Sequence, residues 1–214
     1  MPIRTLLALA LLLAAPASAQ PNADAPLPHV LLKTELGTIE VELETKRAPL
    51  SAGSFLRYVD QRRLDGTVFY RVMRLPWGTP PNGLVQGGPR GDPKRVLRPI
   101  AHEPTDRTGL SHTAGALSLA RFTPGTATAD FSILLSDMPG LDADPKSGDP
   151  DARAGYAVFG RVVAGMDVVR AIYDAPLSPT AGEGIMRGQM LARPVRIVSA
   201  RRVPATAIPR PADR

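Results

Sequence analysis

The chain has 214 residues, with 26 Lys and Arg against 20 Asp and Glu for a net charge of +6, and it contains no cysteine. That length suits one domain with a sizeable core, and the lack of cysteine excludes disulfides, thiol catalysis and cysteine-zinc sites. The basic residues are scattered singly or in pairs, as at Arg62-Arg63 and Arg201-Arg202, so no stripe forms for nucleic acid and no nucleic-acid partner is expected.

Arg4 is followed by an apolar run from Leu6 to Ala15 and then by Ala17-Ser18-Ala19. The run is too short to span a bilayer and ends in a small-residue cleavage pattern, so residues 1–19 read as a secretory signal peptide and the mature chain begins at Gln20. No stable membrane insertion is expected. Residues 20–28, rich in Pro and Ala, read as a flexible leader, and 203–214 as a disordered tail. A single domain therefore covers 29–202.

Within it, Ile39, Val41 and Leu43 alternate with Glu40, Glu42 and Glu44, and Gly37 punctuates a turn, which predicts a hairpin over Val30 to Leu43 with one face buried. Pro49 precedes an apolar stripe of Leu50, Phe55, Leu56, Tyr58 and Val59, predicting a helix that ends near Arg62. A second helix is expected over Met166 to Tyr173. Short strands are expected over Val68–Met73, Ala116–Ala120, Phe131–Leu135, Ala157–Val163 and Val195–Val203. Many short strands with two helices point to a mainly β fold, a closed antiparallel barrel whose ends the helices cover.

Val68 to Met73 is apolar on both faces except for Arg71. Strict alternation puts Val68, Tyr70 and Val72 on one side and Phe69, Arg71 and Met73 on the other. An arginine among apolar neighbours is either paired for structure or held for a ligand. His29, His102 and His112 show no metal-ligand spacing, so neither a metal nor a cofactor is expected.

The runs Phe69-Tyr70-Arg71, Val85-Gln86-Gly87-Gly88, Gly115 to Arg121, Thr126 to Ile133 and Val158-Phe159-Gly160-Arg161-Val162 occur in this order between residues 29 and 201. Together they resemble the cyclophilin family of peptidyl-prolyl cis-trans isomerases, as found in exported bacterial forms. The resemblance implies an eight-stranded antiparallel barrel with two capping helices, proline-containing polypeptide substrates and, with the signal peptide, a periplasmic location. It implies that Arg71 is the catalytic arginine and that Gln86 hydrogen-bonds the substrate backbone. It places Leu84, Ala120, Arg121, Asp130, Ser132, Leu141 and Tyr156 along the substrate groove. A monomer is the expected state.

Three aromatic positions of the family's proline pocket are absent, being occupied by Gly83, Ser132 and Gly140, so the pocket is expected to be shallow. The loop from Arg74 to Asn82 carries Leu75 and Trp77, and Trp77 either folds over the groove as a replacement wall or packs against the barrel or lies exposed. The rival reading keeps the fold but makes it a peptide-binding module or holdase with little or no catalysis. A hydrolase built on Ser111, His112 and Asp106 is disfavoured, because adjacent residues of a strand point to opposite faces and no nucleophile elbow is present.

Overall fold

The computed structural model describes residues 26–204. The expected signal peptide, most of the leader and nearly all of the tail lie outside the described residues. The elements in chain order are β1 (His29–Thr34), β2 (Gly37–Leu43), α1 (Pro49–Asp60), β3 (Val68–Arg74), β4 (Gly83–Gly88), α2 (Thr105–Thr108), β5 (Ala116–Leu119), β6 (Phe131–Leu134), α3 (Pro150–Ala154), β7 (Ala157–Ala164), α4 (Met166–Asp174) and β8 (Met190–Val203). The strands close into an antiparallel barrel in the order β1-β2-β7-β5-β6-β4-β3-β8. Closure leaves no sheet edge unpaired.

The barrel interior is packed with side chains. Phe131 on β6 sits 5.3 Å from Phe55 of α1 and 5.7 Å from Phe69 of β3, both edge-on, and Phe55 lies 5.2 Å from Phe159 of β7. Edge-to-face aromatic contacts of this kind add to their area burial. Helix α1 follows the end of β2 at Leu43, whereas α4 packs by Val168 near the opposite end of β2, where a Cβ on Gly37 would meet it at 2.7 Å. The two long helices therefore plug opposite mouths of the barrel. No side chain caps α1 at Ala48; instead Glu103 accepts from the amides of Leu50 and Ser51 at 2.9 and 2.6 Å, which satisfies two of the free N–H groups of the first turn.

Four elements differ from expectation. β4 is a strand buried along its whole length, which sequence alternation missed because three of its six residues are glycine. The short helices α2 and α3 join the two capping helices. β8 begins at Met190 rather than Val195, and its pairing with β3 jumps from Val195 opposite Phe69 to Met190 opposite Arg71. Pro194, which has no N–H for a ladder, falls in the residues skipped by this irregularity.

Candidate active site

The bulge on β3 decides where the arginine points. Phe69 pairs with Gly87 and Arg71 with Gln86, so Tyr70 is an extra residue opposite β4. A bulge of one residue breaks the alternation. Phe69 and Val72 consequently both enter the core with no exposure, while Arg71 and Met73 turn outward onto a groove. The expected sharing of one face by Phe69 and Arg71 is thus corrected.

Arg71, Gln86, Ser132 and Ser118 are successive cross-strand partners on β3, β4, β6 and β5. They form a polar row across the floor of a groove of about 380 Å³. Leu84, Leu141 and Met73 give the groove an apolar flank, and Leu84 packs in turn on Leu134 and Met138. Ala120, Arg121 and Tyr156 line the opposite end. Eight of the ten expected site residues therefore meet in one groove.

Arg71 is half-buried and held by two neutral amides. Its Nε donates to Gln189 Oε1 at 2.9 Å and its Nη1 to Gln86 Oε1 at 2.8 Å. Burial lowers its pKa from the ordinary arginine value, an effect that Tyr70 and Tyr156 oppose. The group stays charged, because so basic a side chain is not deprotonated in proteins. A carboxylate partner would neutralise that charge, whereas amide acceptors orient the planar fork and leave the charge available. Since Gln86 Oε1 is engaged by Arg71, the NH2 end of the same amide remains to donate to a ligand.

Arg121 lines the groove but keeps little hydrogen-bonding capacity for it. Its guanidinium donates to Gly155 O at 2.7 Å and to Asp151 Oδ1 at 3.0 Å, and lies 4.5 Å above the Tyr156 ring. It fixes the turn that presents Tyr156.

Two expected groove residues lie elsewhere. Asp130 accepts from the Arg90 amide at 3.0 Å and interacts with the Tyr70 hydroxyl, away from the groove lining. Burial raises its pKa above the usual carboxylate value. Trp77 is 68% exposed and borders a separate hollow with Leu75, Met138 and Gly140, which shares only Leu141 with the groove. The loop does contribute an apolar side chain beside the site, but it is Leu75, packed against Leu84, Leu134 and Met138.

The missing aromatics have different physical grounds. At Gly83 the backbone has φ +103°, and a Cβ would stand 2.0 Å from the Met73 carbonyl oxygen, so no side chain fits there. Ser132, by contrast, occupies a regular strand position on the groove floor. Placing Phe there in a Ser132→Phe variant restores an apolar wall, and since a buried phenyl contributes roughly 1.5–3 kcal/mol, peptide affinity should rise about tenfold. Titration of a labelled Xaa-Pro peptide measures this, and unchanged or weaker binding would show that the floor does not contact the ligand.

Beneath Ser118 lies a polar relay that the sequence did not reveal. His112 Nδ1 is 2.6 Å from Asp142 Oδ1 and its Nε2 is 2.9 Å from Ser118 Oγ. His112 thus meets neither Ser111 nor Asp106. The order Asp-His-Ser resembles an acyl-transfer relay, but the imidazole has no exposure and cannot hand a proton to a leaving group in the groove. Its role is to fix the Ser118 hydroxyl.

Burial lowers the His112 pKa from its ordinary 6.5, although Asp142 works in the opposite sense. The unfolded chain therefore binds a proton at this site at a higher pH than the native one does. Stability attributable to His112 is complete above about pH 6.5 and is lost as pH falls through the folded value. Thermal melts should show a lower Tm at pH 5 than at pH 7.5, with a smaller drop in His112→Asn. Glu42, Asp60 and Asp65, whose pKa values are lowered by arginine partners, lose their contributions only at more acidic pH.

The sequence profile described as "Cyclophilin type peptidyl-prolyl cis-trans isomerase/CLD" matches residues 29–202. The chain belongs to this family. As a cyclophilin it is 39% identical over 174 residues to a peptidyl-prolyl cis-trans isomerase of Acinetobacter baylyi, covering 79% of this chain and 82% of that protein. It is 36% identical to peptidyl-prolyl cis-trans isomerase A of Dickeya dadantii, over 67% of this chain and 70% of the relative. Among solved structures, a cyclophilin-type isomerase of Cryptosporidium parvum superposes with a TM-score of 0.65 at 19% identity, covering 83% of this chain and 98% of the other. A structure of that protein in the presence of the dipeptide Ala-Pro gives 0.62 at 20% identity, with 80% and 96% coverage. The barrel is thus a cyclophilin barrel, and isomerisation of the peptidyl-prolyl bond is the enzymatic activity of the family.

Gln189, Met73, Ser118, Phe122, Ile185 and Met186 also line or support this cyclophilin's groove and were not anticipated. Gln189 lies 118 residues from Arg71 in sequence, within a stretch with no periodicity to mark it.

Proposed function

We propose that this cyclophilin catalyses cis-trans isomerisation of Xaa-Pro bonds in exported polypeptides, with Arg71 stabilising the twisted amide. The observation that carries this reading is a guanidinium fixed at the groove by two neutral amides, Gln86 and Gln189, with Nη2 left to face a substrate.

The prolyl amide resists rotation because nitrogen lone-pair resonance gives the C–N bond double-bond character, with a barrier of ~18–20 kcal/mol. At the perpendicular geometry that resonance is lost and the lone pair localises on a pyramidal nitrogen. A cationic N–H donor interacts more strongly with this nitrogen than with the planar one, so it lowers the barrier instead of merely tightening binding. The Gln86 NH2 holds a neighbouring peptide carbonyl while Leu84 and Leu141 contact the ring. No nucleophile or proton transfer is needed.

The signal-like residues 1–19 support export, placing a monomeric enzyme in the periplasm among newly translocated chains. Expression in a Gram-negative host tests this part. Periplasmic protein whose amino terminus is Gln20 agrees with it, and cytoplasmic protein retaining residues 1–19 contradicts it. Acceleration of Xaa-Pro exchange in a short peptide tests the catalytic part, because uncatalysed exchange takes tens to hundreds of seconds. Peptide binding without acceleration would instead assign a holdase.

A further inference from the structure

We infer that the groove selects substrates by apolar contacts at its two ends, with Ile185 and Met186 gripping one side of the proline and Phe122 the other. This rests on the proposed isomerase site and names the sequence preference of its substrate. The floor of the groove carries the polar row Arg71, Gln86, Ser132 and Ser118, so beyond the Leu84 and Leu141 flank, further apolar contact has to come from the rims. The two rims supply it. Ile185 is 86% exposed, Met186 37% and Phe122 89%, and all three line the same groove as Arg71.

The exposure of Ile185 is not that of a loose loop. Residues 178–189 form a strap closed at its base by the Leu177–Leu191 bridge and by Ser178 N donating to Met190 O at 2.8 Å. Within it, Gly188 N donates to Ala181 O at 2.9 Å and Gln189 N to Met186 O at 3.0 Å. Gly182 has φ +94°, and a Cβ there would stand 2.4 Å from the Met186 carbonyl oxygen, so the turn that presents Ile185 and Met186 requires glycine. Gln189 joins the strap to the catalytic group. Its Oε1 accepts from Arg71 while its Nε2 donates to Ile185 O at 2.8 Å. A pre-formed apolar tip linked directly to the arginine is suited to hold the residue beside the twisted prolyl amide, with little ordering cost on binding.

Sheet order sets the distance from Arg71 on β3 to the far rim at Phe122. The strap enters β8 beside β3, and Phe122 follows β5, with β4 and β6 between β3 and β5. Three strand spacings of about 4.8 Å give about 14 Å, the length of roughly four residues of extended chain. Arg71, on β3, lies at the strap end. The strap therefore contacts a residue next to the proline, and Phe122 one that is two or three positions away on the other side.

A set of heptapeptides with a central proline, each with one Gly replaced by Leu, tests this by NMR titration, whose dissociation constants do not depend on turnover. Leu should tighten binding about fivefold or more at one position on each side of the proline, as burial of a leucine side chain allows. Ile185→Ser combined with Met186→Ser should abolish the gain on one side only, and Phe122→Ser the gain on the other side only. Equal affinity for all peptides, or loss of both gains in either variant, overturns the inference. A wild-type protein that shows these preferences without accelerating exchange would refute the isomerase reading and leave the rim assignment standing.

Discussion

Replacing Arg71 by alanine should lower kcat/KM for Xaa-Pro isomerisation about 10²–10³-fold, the usual cost of removing one donor aimed at developing charge in a transition state. A protease-coupled assay on a proline tetrapeptide measures it. Arg71→Lys should recover little of the loss. Lysine keeps the charge but lacks the fork, so it cannot donate to Gln86 and Gln189 while still facing the substrate. Circular dichroism should show both variants folded, because Arg71 points out of the barrel. Activity in Arg71→Ala close to that of the wild type would remove this residue from the mechanism.

The second large effect concerns the scaffold. Phe131 has no exposed surface and packs against both Phe55 and Phe69, joining the helix that closes one mouth of the barrel to the strand that carries Arg71. Phe131→Ala should destabilise the fold by about 3–5 kcal/mol, the range for a phenylalanine truncated in a close-packed core. Urea unfolding gives the value directly. A loss under about 1 kcal/mol would mean that the interior collapses around the cavity and that the aromatic cluster does not brace the barrel. Since Phe131 sits beside Ser132 on β6, the variant should also weaken peptide binding, while an Ala substitution at exposed Trp77 should change neither property.

The hairpin and both long helices were legible in the sequence because alternation and helical spacing report directly on burial. Arg71 and Gln86 were legible because each belongs to a short ordered run and because charge is rare in an apolar strand. The direction in which Arg71 points was not. The Tyr70 bulge depends on pairing with β4 and β8, and nothing local to Val68–Met73 announces it. Distant contacts were hidden for the same reason: Gln189 reaches Arg71 from the far end of the chain, and His112 finds Ser118 and Asp142 instead of its sequence neighbours. For Trp77 the sequence left a wall over the groove and an exposed side chain both open, and the structure turns Leu75 inward and leaves the indole exposed. Asp130 was placed by its position in the motif, and the structure gives it to the Arg90 amide.

Substitution of glycine at the aromatic positions also has two meanings that sequence cannot separate. Gly83 is required by its backbone, with a carbonyl where a Cβ would stand, while a Cβ at Gly140 would meet nothing within 4 Å. The first is a constraint of the fold and the second is open to change. With neither aromatic present, Leu84, Leu141 and Met73 supply the apolar flank of the groove.

Exchange spectroscopy of a saturating Xaa-Pro peptide bound to wild-type protein and to Arg71→Ala, read together with the dissociation constant of each, tests the role of Arg71 most directly. The dissociation constants should lie within about threefold of one another, a difference of less than about 1 kcal/mol, and on-enzyme exchange should be fast in the wild type and nearly lost in the variant. Weakened binding with an unchanged exchange rate for the bound peptide would contradict that role, because Arg71 would then hold the ground state and not the twisted amide.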